Sequence, residues 1–136
     1  TTAFPVMLVL VVSDKNGHEQ MLTLGLFPEF KHYNVSLREP RGDDCGNASR
    51  LVSWQRIYAE SSLVLRFDGL RGGRYCVTAD PMTEDCFSYR LPPHIVNLDF
   101  LYQMTPRTVA AGRCCRPPEP RKSGVIERGD RTNPYY

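Results

Sequence analysis

Residues 63–81, LVLRFDGLRGGRYCVTADP, decide how the rest of this 136-residue chain is read. Leu63, Leu65 and Phe67 alternate with Val64, Arg66 and Asp68, which is the period of a strand with one buried face. Gly69-Leu70 then breaks the run, and Tyr75, Val77 and Ala79 take up the alternation again until Pro81. Two strands joined by a Gly-rich corner are expected. A tyrosine just past such a corner fills apolar space while its hydroxyl satisfies a backbone carbonyl.

The same period extends in both directions. PVMLVLVV (5–12) is a continuous apolar run, suited to a strand covered on both faces. Asn16-Gly17 follows as a hairpin signal, because both residue types tolerate positive φ. Leu22, Leu24 and Leu26 alternate in EQMLTLGL, and Tyr33, Val35 and Leu37 alternate in HYNVSLR, which would turn Asn34, Ser36 and Arg38 to solvent. LVSWQRIY (51–58) reads as another strand. The last one is either CFSYRL (86–91) or IVNLDFLY (95–102), and periodicity does not choose between them. No stretch of twelve or more residues has a helical period. About seven short strands at close spacing predict an all-β, antiparallel two-sheet sandwich. We assign residues 1–102 to it and read 103–136 as an irregular, basic, Pro/Arg-rich tail or linker.

The corner resembles the one between strands E and F of fibronectin type III domains, with Leu70 as the core plug and Tyr75 as the back-bonding tyrosine. It departs from that pattern in two ways. The interval from Leu70 to Tyr75 is one residue short, and the single tryptophan, Trp54, lies later than the second strand. GLRGGRYCVTADPMTEDC (69–86) also resembles the F-strand region of the membrane-proximal ectodomain of interleukin-17 receptors, with Cys76 near the strand start and Cys86 five residues beyond Pro81. HYNVSLREP followed by Cys45 resembles the preceding C strand and its loop. These resemblances imply an immunoglobulin-like sandwich in a cytokine-type receptor. Because strands C and F are neighbours in a type III sheet, they further imply that Cys45 pairs with Cys76 as a surface staple. Cys86 would then pair with Cys114 or Cys115, and one cysteine of that doublet would remain for an intermolecular bond.

Composition bounds the function. The chain is 41% apolar and 24% charged, which is ordinary for a globular domain. Its formal charge of +2 divides unevenly: residues 103–136 carry seven Lys or Arg against three acids. Such a tail has too little apolar surface to order itself, so its order would have to come from the body or from a partner chain. It carries no aromatic residue within RCCRPPEPRKSG for stacking on bases, so no nucleic-acid partner is expected. The apolar run at the start is about half a membrane span, so any membrane attachment would need a segment absent from this chain. Five cysteines without zinc-site spacing, and the sequons Asn34-Val35-Ser36 and Asn47-Ala48-Ser49, place the protein in the secretory pathway, extracellular or at the cell surface. Glycans are expected on Asn34 and Asn47.

No residue pattern supports catalysis or a cofactor. His18, His32 and His94 are read as scattered surface histidines, and GLRGG precedes a strand, so it lacks the helix terminus of a phosphate cradle. The expected function is non-catalytic binding of a protein ligand or co-receptor. The contact candidates are Arg41, Gly42 and Asp43 in one loop, and Asp80, Met82, Thr83, Glu84 and Asp85 in another. Arg41-Gly42-Asp43 is also the tripeptide of integrin recognition, and it recurs as Arg128-Gly129-Asp130 in the tail. Pro40, Gly42 and Asp43 are equally what a turn requires, so the alternatives of an adhesion module, or of a subunit in a disulfide-linked assembly or homo-oligomer, rank below receptor binding.

Overall fold

The computed structural model describes residues 6–46, 48–82, 94–98, 102–103 and 122–131. Over these residues the chain is all-β. Its strands are β1 (Val6–Asp14), β2 (Glu19–Leu26), β3 (His32–Glu39), β4 (Arg50–Tyr58), β5 (Leu63–Leu70), β6 (Arg74–Pro81), β7 (His94–Asn97), β8 (Tyr102–Gln103) and β9 (Gly124–Asp130). They form two sheets, ordered β2-β1-β5 and β8-β7-β6-β3-β4-β9. The expected sandwich is therefore present, with nine strands among the described residues, one of which has only two residues.

The core lies between the sheets. Leu8, Leu10 and Val12 of β1, Leu22, Leu24 and Leu26 of β2, and Leu65, Phe67 and Leu70 of β5 belong to one buried cluster. It continues through Tyr33, Val35 and Leu37 of β3, Ile57 of β4, and Tyr75, Val77 and Ala79 of β6. Every alternating set identified by its period thus faces inward. β7 begins at His94 and pairs antiparallel with β6, and Val96 and Leu98 are fully buried, so the neighbour of β6 comes from the IVNLDFLY run. FSYRL (87–91) falls outside the described residues.

Two tyrosine hydroxyls satisfy backbone carbonyls at corners. Tyr75 donates to the Arg71 carbonyl at 2.7 Å, the back-bond expected at the β5–β6 corner. Tyr33 donates to the Phe27 carbonyl at 2.8 Å. Burial raises both phenols above the ordinary tyrosine value, so both stay protonated donors.

Four expectations about the fold need correction. First, β1 and β5 are parallel, with Leu10 opposite Leu65. The most apolar strand occupies the sheet centre, where both its edges are paired, whereas immunoglobulin-type order places the second strand there. Second, the β1–β2 hairpin expected at Asn16-Gly17 is present, but its turn uses positive φ only at Gly17 (87°), not at Asn16. The Asp14 amide donates to the His18 carbonyl at 3.0 Å around Lys15-Asn16-Gly17, a three-residue loop with glycine in the left-handed position. Third, the tail is not irregular throughout: β9 pairs antiparallel with β4, Gln55 opposite Arg128, and so joins the body's larger sheet. Fourth, His32 is 8% exposed and its ring packs 4.9 Å from that of Tyr58, so it is not a surface histidine.

Candidate functional site

The connection between β3 and β4 leaves the sheet as a tight turn. Arg41 and Asp44 exchange two backbone hydrogen bonds of 3.0 Å, which puts Gly42 and Asp43 at the tip. Gly42 has φ +62°, a conformation that glycine adopts without strain. Arg41, Gly42 and Asp43 are all exposed, so the first of the two expected contact loops is a surface feature. The turn is held from two sides. Arg74 of β6 donates from Nη2 to Asp43 Oδ1 at 3.0 Å, and Cys45 is bonded to Cys76. Asp44 Oδ1 also accepts from the Gly46 amide at 2.7 Å and fixes the exit of the turn.

The disulfide joins the residues that the strand layout paired, but it is not a surface staple. Cys45 is 4% exposed and Cys76 fully buried, and the two form a small cluster separate from the main core. Tyr75 does point inward and Cys76 the other way, as alternation requires. That other face of the larger sheet is itself buried. Asn34, Ser36, Trp54, Arg56, Thr78 and Asp80 all lie on it with 5% exposure or less.

This second buried face overturns three site assignments. Asn34 is fully buried and its Nδ2 donates to Ser36 Oγ at 3.0 Å, so the side chain is not on a wet face and has no outlet for a glycan. Asp80 is not in a loop: β6 runs on to Pro81, and Asp80 is 1% exposed opposite Asn34. Met82 is 4% exposed, and its amide donates to the His32 carbonyl at 2.8 Å, which extends the β3–β6 ladder by one bond. Alternation alone missed this because it reports which positions share a face of a sheet, not whether that face is covered. Thr83, Glu84, Asp85, Cys86, Cys114, Cys115 and Asn47 fall outside the described residues.

The second Arg-Gly-Asp is a strand segment rather than a turn. Gly129 lies opposite Trp54 in the β4–β9 ladder, and a Cβ built on it would come within 2.7 Å of Trp54 Cζ2. The indole therefore packs on bare glycine backbone. On the same face the Arg56 guanidinium stands 4.9 Å from the Trp54 ring centroid and pairs with Glu127 at 2.7 Å. The glycine of this tripeptide is explained by packing, a signal that becomes visible only once the strand register is known.

Two charged clusters brace the smaller sheet. Asp14 accepts from the amides of Asn16 and His18 and meets His18 Nδ1 at 2.8 Å. Burial opposes its ionisation, but these bonds outweigh it and hold the carboxyl below the ordinary aspartate value. Arg66 reaches both Asp68 and Glu19, and this guanidinium, with the Ser13 hydroxyl, holds Asp68 low as well. Among the described residues no group of three or more His, Cys, Asp or Glu could hold a metal ion. Among those residues, too, no helix is long and apolar enough to cross a membrane. Comparisons with protein-family models, curated proteins and solved structures returned no match for this chain.

Proposed function

We propose that the chain is a non-catalytic, extracellular protein-binding module, part of a cell-surface receptor ectodomain of cytokine type, and that it contacts a protein ligand or co-receptor through the Arg41–Asp44 turn. The observation that carries this reading is the stapled turn itself. A charged, exposed tip is locked at its base by the Cys45–Cys76 disulfide and from the side by Arg74. A rigid scaffold with a constrained loop loses little freedom on binding, which is what protein recognition by loops exploits. The disulfide supports an oxidising compartment.

The test is cell staining with a secreted fusion of this chain to an antibody Fc. Arg41→Ala with Asp43→Ala should abolish staining while the disulfide and secretion persist. Unchanged staining would remove the turn from the binding surface. A second reading, integrin adhesion, draws on the exposure of Arg41, Gly42 and Asp43 together at the tip. Asp43→Glu keeps the charge but lengthens the side chain. It should leave receptor-type binding within a few-fold, whereas integrin adhesion would be lost.

A further inference from the structure

A groove of about 670 Å3 lies on the open side of the sandwich, where β5 of the smaller sheet faces β4 and β9 of the larger. Gln55, Phe67, Leu70, Arg128, Asp130 and Arg131 are among the residues lining it. Three observations give it a chemistry.

First, among the described residues β5 is an edge strand whose one hydrogen-bonded neighbour is β1. Gln55 Nε2 reaches across from β4 and donates to the Arg66 carbonyl at 2.8 Å. In a strand the N–H and C=O of one residue point to the same side, and successive residues alternate. This bond therefore assigns the backbone groups of Val64, Arg66 and Asp68 to the edge away from β1. The groove is thus bordered by a strand edge on which Gln55 caps the Arg66 carbonyl, while the flanking Val64 and Asp68 backbone groups point the same way.

Second, the opposite wall carries more cations than anions among the described residues. Arg66 is held by Asp68 and Glu19, but Arg128 and Arg131 are exposed and enter no ion pair among the described residues. Asp130 also lines the wall, so it carries two free cations and one anion. Third, Arg131 has φ +60°, the only positive φ of a non-glycine residue among those described, and its amide donates to the Val52 carbonyl at 3.2 Å. The backbone is held in a costly conformation at the residue that ends this wall.

We propose that the groove binds an extended peptide segment of a partner protein, which adds to the outer edge of β5 as a fourth strand, taking the Arg66 carbonyl over from Gln55, and sets an acidic side chain against Arg128 and Arg131. Main-chain hydrogen bonds supply affinity in this mode and side-chain pockets supply choice. The inference rests on the protein-binding reading but on different residues from the Arg41–Asp44 turn.

The experiment selects a phage-displayed library of linear dodecapeptides on the full chain and counter-selects on the Arg128→Glu, Arg131→Glu double variant. Recovered peptides should share an acidic residue within a β-forming stretch. A synthetic copy should shift the amide resonances of Val64, Arg66 and Asp68 in the 15N-labelled chain. The double variant should bind it at least tenfold more weakly. Val64→Pro serves as an independent variant. It removes an N–H that β1 does not use, so the fold survives on an edge strand, while strand addition is blocked and peptide binding is lost. Arg41→Ala with Asp43→Ala should leave peptide binding intact, so failure of the turn and failure of the groove are read separately. The proposal is overturned if no peptide survives counter-selection, if neutral peptides bind as well, if the shifts cluster elsewhere, or if Val64→Pro binds normally.

Discussion

Among the described glycines, Gly129 has the least room for a side chain. A methyl group there meets the indole of Trp54 at 2.7 Å, and Trp54 is itself pressed beneath Arg56. Gly129→Ala should cost about 1–3 kcal/mol, the usual range for forcing extra volume into a packed site. Gly25→Ala, where a Cβ meets nothing within 4 Å, should be neutral or slightly stabilising. Urea unfolding of the two variants makes the comparison, and equal effects would contradict the packing account. Tyr75→Phe removes the hydroxyl that satisfies the Arg71 carbonyl and should cost about 1 kcal/mol. Asp14 sets a pH dependence. Its folded carboxyl titrates below the unfolded value of about 4, so its contribution is fully present above that pH and is lost as pH falls through the folded value. The stability gap between the wild type and Asp14→Asn should therefore be constant near neutrality and close in acid. A gap that widened on acidification would refute this.

At the scale of elements, the inward faces were legible because period-2 alternation reports burial directly. Leu22, Leu24 and Leu26, or Tyr33, Val35 and Leu37, could be assigned from spacing alone, and the Tyr75 corner from its glycine and tyrosine. What alternation cannot report is a sheet buried on its second face. Asn34, Ser36 and Asp80 are polar yet buried, so a face that looked wet is not, and the glycan expected on Asn34 fell with it. The site was legible in part: the turn residues Gly42 and Asp43 mark their own conformation, whereas β9 has a strand's pattern only over seven residues of a basic tail. Its place depends on partners far away, through the ladder to β4, the Arg56–Glu127 pair and the Ser123 hydroxyl, which accepts from the amides of Glu60 and Ser61. A chain truncated after Arg121 should consequently uncover Trp54, the only tryptophan. Its emission should move to longer wavelength while the rest of the sandwich remains. An unchanged spectrum would mean that β9 does not shield it.

For the whole molecule, the Cys45–Cys76 bond is a covalent constraint between the two described cysteines. It spans a sequence separation of 31, for which chain entropy alone gives about 3–4 kcal/mol. Replacing both cysteines with serine should lower stability by up to that amount, a large share of what a small domain has, as thermal unfolding of the oxidised chain against the double variant would show. The parallel pairing of β1 with β5 acts on a different axis, that of time. The hairpin with β2 can close as soon as residues 6–26 exist, but the second edge of VMLVLVVSD has no partner until Leu63–Leu70 has been made. Most contacts join distant parts of the chain, so refolding on the order of milliseconds to seconds is expected. Throughout that interval during synthesis, the most apolar strand is half-clad. Of all its segments, this is the one a nascent chain would most need shielded from its neighbours.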